Sequence, residues 1–403
     1  MNPPATLSPT PASERFLLWV LAAVQFTHIV DFMVMMPLGP QLTKLFGLTD
    51  ARFGLLVSAY TLAAGASGLL GVFFIDRFER KRLMLFAYAG FGLSTLACGL
   101  APTYGSLMLA RIAAGACGGL LSASVQTIIA DTVPFERRGR AMGIVMSAFS
   151  LSTVAGVPAS LWLASHHGWN APFVGIAIAA LLVWAGAAAA VPRIDSHLRA
   201  HEHRSPAQTM AAVLREPNHL RAFALSSTML MSSFCIIPYI TIYTTTNVGM
   251  TMEQIPLIYL VGGVATFFSS RLWGWAADRY GKVAVFRLLA VLALAPMLTL
   301  THLPAVPLAV VLVVTTLFFV LVSGRMVPGM ALIASASAPQ SRGAFMSLNG
   351  AVQSAAMGVA SYVGGLLISR TADGQVAGYG NTGWLALACT LAAFWLVARV
   401  RHD

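Results

Sequence analysis

An all-α integral membrane protein, with twelve transmembrane helices in two pseudo-symmetric six-helix bundles, is the fold class this sequence predicts. Three observations carry that expectation. Of 403 residues, 57% are hydrophobic and only 10% charged, whereas a soluble domain carries about 25% charged residues. Apolar runs of about twenty residues, the length that crosses a bilayer as a helix, recur along the whole chain. Two loop motifs from the first half return in the second at nearly one offset.

The runs are bounded at roughly 16–40, 52–75, 83–101, 104–130, 140–164, 171–191, 219–246, 253–276, 284–301, 305–334, 344–369 and 380–399. Backbone groups in lipid must bond within their own segment, so each run is expected as a helix. The alternating ten-residue strands of a membrane barrel are absent. The four cysteines (Cys98, Cys117, Cys235, Cys389) all fall in apolar runs without metal-ligand spacing, and read as small packing residues.

A net charge of +11 raises the question of a nucleic-acid partner. The distribution argues against one. With the N-terminus inside, nineteen of the 25 Lys and Arg fall on one side of the membrane, among them the four of the Arg77–Arg82 loop, and only Lys44, Arg52 and Arg370 fall on the other. Short loops rich in Lys and Arg stay cytoplasmic. Both termini are therefore expected inside, in a multi-pass protein whose lipid bilayer is its main partner.

The longest polar stretch splits the chain. It predicts a cytoplasmic tail over 1–15, a first bundle over 16–191, a linker over 192–218, a second bundle over 219–399 and a short tail over 400–403. The linker holds the run HLRAHEH, for which a solvated loop outweighs a metal site; no metal and no cofactor other than a proton gradient is expected. The repeat is specific: Asp76-Arg77 and Asp278-Arg279 lie 202 residues apart, while Arg138-Gly139 and Arg342-Gly343 lie 204 apart. Two independent markers at nearly the same offset imply a duplicated six-helix unit.

The run Gly274-x-x-x-Asp278-Arg279-x-Gly281-Lys282 resembles the loop signature of the major facilitator superfamily, and the resemblance extends over essentially the full length. The first-half copy departs from it, with Val72 and Glu79 standing where the pattern has glycine. Arg111 with Gly115 resembles the superfamily's fourth-helix arginine motif. Gly156-Val157-Pro158 is similar to a reduced form of the fifth-helix motif of efflux antiporters. Pro37-Leu38-Gly39-Pro40, and Ser323-Gly324-Arg325 through Pro328, resemble the bacterial drug/proton antiporter and sugar-efflux branch. That resemblance implies a monomer in a bacterial inner membrane, alternating access about a midplane site, and a cavity lined by the first, fourth, seventh and tenth helices.

Asp31 is the only carboxylate in the interior of any of the apolar runs, Glu253 standing at the very first position of its run. Such a group costs roughly 2.5–3.5 kcal/mol to insert, unless it is paired, hydrated or protonated. It is thus a candidate proton-coupling residue, the bland reading being a permanent Asp–Arg pair. Arg111 is the expected partner, because the two depths differ by only about 3 Å at 1.5 Å per residue; carbonyl binding is the alternative. His28, one turn before Asp31, is a candidate relay or a simple hydrogen-bonded core histidine. Gln25 continues that face.

The candidate substrate cavity comprises Gln25, Phe32, Tyr239, Tyr243, Arg325, Asn349 and Gln353. Tyr239 and Tyr243 suit stacking or packing, Asn349 and Gln353 cavity contacts or interhelical bonds. Arg325 has no acid in the interior of the apolar runs of its half, and must find carbonyls, water or an anionic substrate. Asp76, Arg77, Arg80, Asp278, Arg279 and Lys282 read as charged gating loops, and Gly156 and Pro158 as the helix-5 motif. Two functions follow: proton-coupled export of a small organic molecule such as a drug or sugar-like compound, and import or exchange of an organic anion. An enzyme is not expected, since paired carboxylates, a nucleophile motif and a P-loop are all absent.

Overall fold

The structure is a computed structural model, which describes residues 11–194, 206–337 and 342–400. The HLRAHEH run, Pro339, Arg401, and residues 1–10 of the expected N-terminal tail lie outside the described residues. Among the described residues, ten helices are long and apolar enough to cross a membrane. Two further helices complete the twelve positions of the predicted fold: α15 (Arg342–Leu366) and α16 (Tyr379–Leu396). They read as less apolar for a physical reason. Buried polar side chains of α15, such as Asn349 and Ser361, face other helices instead of lipid.

The first half contains α1 (Pro11–Val34), α2 (Gly39–Phe46), α3 (Asp50–Gly71), α4 (Arg80–Gly99), α5 (Tyr104–Thr132), α6 (Phe135–Leu151), α7 (Val157–His167) and α8 (Ala171–Ala190). The expected run 16–40 is not one helix: the chain turns after Val34, and Pro40 opens the short α2. A π-turn over Ser152–Gly156 separates α6 from α7, and Pro158 begins the second piece. Proline has no N–H to donate and clashes with the preceding turn, so the ladder widens just before it.

The second half contains α9 (Pro206–Arg215), α10 (Pro217–Phe234), α11 (Ile240–Tyr243), α12 (Ile255–Tyr280), α13 (Lys282–Thr301), α14 (Leu308–Ser335), α15 and α16. The expected linker is therefore partly helical, and its 218/219 boundary falls inside α10. The only strands among the described residues, β1 (Ser369–Arg370) and β2 (Val376–Ala377), form an antiparallel hairpin between α15 and α16. This is the one departure from an all-helical chain.

The halves meet along two seams. α3 packs against α15, and α12 packs against the π-turn and α7. At the first seam Ser58 donates to the Gly358 carbonyl (2.6 Å). At the second, Gly263 lets α12 approach Thr153. Large apolar side chains such as Phe86, Leu93 and Leu182 are more than two-thirds exposed, as suits a surface solvated by lipid instead of water.

The two repeated loops start their following helices differently. Gly281 precedes α13 at φ +91°, a left-handed conformation that favours glycine. Glu79 precedes α4 in extended conformation, and its carboxylate accepts from the Lys81 and Arg82 N–H groups (2.9 and 3.0 Å). It also accepts from the Ile194 N–H (2.9 Å). The departure from glycine at position 79 thus supplies a helix cap.

Candidate functional site

Asp31 and Arg111 meet. Arg111 Nη1 donates to Asp31 Oδ2 at 2.9 Å, and both side chains are 0% exposed. Removing either partner of a sealed pair leaves an uncompensated charge and costs about 3–5 kcal/mol. The guanidinium carbon lies 4.2 Å from the centre of the Tyr60 ring on α3. Close packing of α3 on α5 holds that geometry, since a Cβ on Gly115 would fall 2.2 Å from the Tyr60 carbonyl oxygen.

Tyr60 is a partition. One side of its ring carries Arg111; the tyrosine also lines a cavity of about 270 Å³ between the halves. The cavity takes walls from α1, α3, α5 and α15, with His28, Phe32, Thr61, Gln126, Ser347 and Met357 among them. Its lining contains no Lys, Arg, Asp or Glu. On α3, α5 and α15 the lining positions run from the middle of the helix toward the end that bears the basic loops, hereafter the basic end, while His28 and Phe32 lie in the last two turns of α1.

Beyond the cavity, the far end is shut. Phe32 stacks on Phe234 of α10 (ring centroids 6.0 Å). The Tyr239 hydroxyl donates to the Ser361 carbonyl. At the rim, Arg370 of β1 grips Asp50 with two bonds of 2.8 and 2.9 Å. Asp50 sits in the first turn of α3, where a carboxylate also suits the helix dipole. Asn247 exchanges two 2.9 Å bonds with the Val376 backbone, pinning the hairpin that carries Arg370.

Of the residues the sequence singled out, His28 and Phe32 line the cavity, while Asp31 and Arg111 form the buried pair behind it. Neither His28 ring nitrogen has a hydrogen-bond partner. Gln25 is buried with its Oε1 unpartnered, but does not line the cavity. The expected lining by the first, fourth, seventh and tenth helices is corrected: α1 and α5 contribute, whereas α3 and α15 stand where α10 and α14 were expected.

The remaining cavity candidates are placed elsewhere. Tyr239 closes the far end. Tyr243 donates to the Leu303 carbonyl (3.0 Å) and packs on Tyr379. Asn349 accepts from Ser226 (2.8 Å) and Gln353 contacts the Met330 sulfur; both tie helices together. Arg325, expected at the cavity, is sealed inside the second half. It donates to Thr390 (3.0 Å), Ser232 and Ser233, and to the Met229 carbonyl. Hydroxyls and a carbonyl took the place of the missing acid.

Among the loop residues, Arg80 pairs with Asp131 at 2.9 Å within the first half. Arg77, Asp278 and Arg279 are exposed, the last beside Trp275, and Lys282 is half-buried. The Asp76 side chain lies outside the described residues. Gly156 faces α1 so closely that a Cβ would meet Val30 at 2.3 Å. With Pro158, it places the π-turn beside the neighbour of Asp31. Sequence reasoning missed Tyr60 and Asp50. Each gains its role from a partner distant in the chain.

The sequence profile of the Major Facilitator Superfamily matches residues 21–324 and 222–403. The chain belongs to the major facilitator superfamily. It is a multi-pass membrane protein and a secondary transporter of small substrates. An uncharacterized MFS-type transporter of Bacillus subtilis (strain 168), YceJ, is 26% identical to this transporter over 367 residues, 90% of this chain and 92% of that protein. A gallate transporter of Pseudomonas putida is 28% identical over 205 residues, 49% of this chain and 44% of the relative. The D-xylose-proton symporter crystal structure superposes with a TM-score of 0.75 at 17% identity, covering 94% of this chain and 96% of that one. A bacterial homolog of the human lysosomal transporter Spinster, in an inward-facing and occupied conformation, gives 0.72 at 15% identity, covering 97% and 95%. At those identities the likeness concerns the fold.

Proposed function

We propose that this transporter exports small organic molecules from a bacterial cell in exchange for protons, with Asp31 as the proton site. One observation carries the reading: the Asp31–Arg111 pair is sealed from solvent directly behind Tyr60, while the cavity wall itself holds no acid or permanent cation. An ionised Asp31 is stabilised by Arg111, and a protonated one is favoured by burial. The carboxyl can therefore change state as its surroundings change, and it is the residue through which a proton is handed across.

The cycle follows from which end is open. With the basic end facing the cytoplasm, the ion pair corresponds to the stage after proton release, when substrate enters the cavity. Opening the far end requires parting Asp50 from Arg370. Substrate then leaves, and a proton reaching Asp31 neutralises it and loosens its hold on Arg111. Return to the first arrangement delivers that proton inward. Uncoupled binding of substrate and proton would shift neither equilibrium, so the Tyr60 partition is the route of communication.

The test is transport in inverted membrane vesicles with a substrate found by thermal-shift stabilisation. An imposed pH gradient drives accumulation by the parent protein. Asp31→Asn abolishes it but retains exchange of labelled for unlabelled substrate. Persisting gradient-driven accumulation in Asp31→Asn rejects the assignment.

A second reading, import or exchange of an organic anion, draws on the gallate-transporting relative and on Arg111, whose Nε and Nη2 have no partner. It is the weaker, because Arg325 is sealed inside the second half, away from the cavity, with both Nη atoms bonded to hydroxyl or carbonyl acceptors. Counterflow with gallate distinguishes them: rapid gallate exchange that fails in Arg111→Lys favours the anion reading.

A further inference from the structure

The lipid-facing side of the first half carries a groove between α4 and α8, about 320 Å³ in volume. Ala89, Gly92, Ala177 and Ala180 form its floor. Leu93 and Leu181, 69% and 64% exposed, stand at its rims. The walls are pinned by hydrogen bonds. Trp184 Nε1 donates to the Leu85 carbonyl across the two helices (2.9 Å). The Tyr88 hydroxyl shares a 2.8 Å bond with the Thr27 hydroxyl, which ties α4 to α1.

The basic end of the groove is charged. Arg82 lies two helical turns before Ala89, and so on the same face of α4. Its side chain is exposed, as is that of Arg193, just beyond α8. Backbone bonds bring the two segments together: the Arg80 N–H donates to the Ile194 carbonyl (3.2 Å), and the Ile194 N–H to Glu79 (2.9 Å). The Glu79 carboxylate already accepts from three backbone N–H groups. Lys81, Arg82 and Arg193 against Glu79 leave this corner net positive.

We infer that the groove seats one acyl chain of an anionic diacyl phospholipid, whose phosphate is held by Arg82 and Arg193. Depth sets the fit. At 1.5 Å per residue, the lining stretch from Ala89 to Leu96 lies about 10–21 Å from Arg82 along α4. About 20 Å separates a headgroup layer from the bilayer midplane. The groove therefore receives the distal half of a chain whose phosphate reaches Arg82. Charge sets the headgroup. Apolar contact alone selects no lipid, because the competing surroundings are hydrocarbon as well. Basic side chains at the membrane surface do select, since they attract anionic headgroups, and a guanidinium can grip a phosphate with two bonds. The site is independent of the transported substrate and of the coupling ion.

The probes are phosphatidylglycerol and phosphatidylcholine with identical chains. The purified full-length protein is equilibrated with equal amounts of both, and the retained lipid is identified by native mass spectrometry. The parent protein retains phosphatidylglycerol about tenfold in preference, as two basic contacts warrant. Arg82→Gln/Arg193→Gln brings the two lipids to equal retention. Arg140→Gln/Arg215→Gln, the same charge change at exposed residues on α6 and α9, leaves the preference intact. Gly92→Leu abolishes retention. A Cβ there is accommodated, 3.6 Å from the Ala180 Cβ, and the rest of the side chain fills the groove. Should Gly92→Leu fail to fold, Ala89→Leu takes its place. Equal retention of the two lipids by the parent protein overturns the site. So does a preference that survives Arg82→Gln/Arg193→Gln, or one that falls equally in Arg140→Gln/Arg215→Gln. Unchanged retention in the groove-filling variant overturns it too, as does a dimer that this variant abolishes, for a second copy would then be the occupant.

Discussion

One buried arginine sits in the fourth helix of each half, and the two find their partners in opposite ways. Arg111 on α5 meets a carboxylate, Asp31, at 2.9 Å, stands over the Tyr60 ring, and leaves two nitrogens unpartnered near the cavity. Arg325 on α14 meets three hydroxyls and a carbonyl from α10 and α16, away from the cavity. The first arrangement contains a group that titrates; the second contains none. On the proposed mechanism, the duplicated fold places its switchable charge in one half and uses the corresponding helix of the other as a fixed strut.

The comparison can be broken by substitution. Arg111→Ala strands the Asp31 charge in a sealed site, and is expected to lower unfolding free energy by about 3–5 kcal/mol; chemical denaturation followed by circular dichroism measures it. Part of that loss returns in the double variant Asp31→Asn/Arg111→Ala, since no uncompensated charge remains. Arg325→Met strands only hydroxyls that can turn to their own helix carbonyls. Its expected cost is smaller, about 1–3 kcal/mol, and the pH-gradient dependence of transport is retained. Equal losses in Arg111→Ala and Arg325→Met, with no recovery in the double variant, would show that both arginines are struts.

The far-end clasp is the next effect in size. Asp50→Asn removes one charge from a two-bond grip on Arg370, and charge-assisted bonds contribute about 1.5–3 kcal/mol. Accessibility of a cysteine introduced by the near-isosteric change Ser361→Cys, at the buried seam beneath the clasp, rises in that background, as read by labelling with a membrane-impermeant maleimide. No change in labelling would mean that the seam between α3 and α15 holds the far end shut by itself. The smallest effect concerns the first repeated loop. Glu79→Gly restores the superfamily pattern but removes the α4 cap, and is expected to cost about 1 kcal/mol, read as a lowered melting temperature.

Much of this was legible in the sequence. The apolar runs and the loop offset carried the fold, because lipid demands long, self-satisfied helices and a duplication keeps its spacing. Asp31 and Arg111 were legible because a charge in an apolar run is conspicuous, and helix rise places it in depth. Asp50 was not, since it flanks a run and reads as an ordinary loop charge; its partner lies 320 residues away. Tyr60 was hidden for a related reason. One aromatic in an apolar helix carries no local signal, and its importance arises where α1, α3 and α5 converge. Arg325 was misplaced because counting acids overlooks serine and threonine hydroxyls, which four-residue periodicity does not reveal as partners.

Substrate-driven proton movement in proteoliposomes loaded with a pH-sensitive dye tests the central claim most directly. Parent protein, Asp31→Asn and Arg325→Met are compared with one substrate gradient. The account predicts dye responses of similar size for the parent protein and Arg325→Met, and none for Asp31→Asn, although all three exchange substrate. A proton signal that survives in Asp31→Asn, or one that vanishes in Arg325→Met while exchange continues, contradicts it.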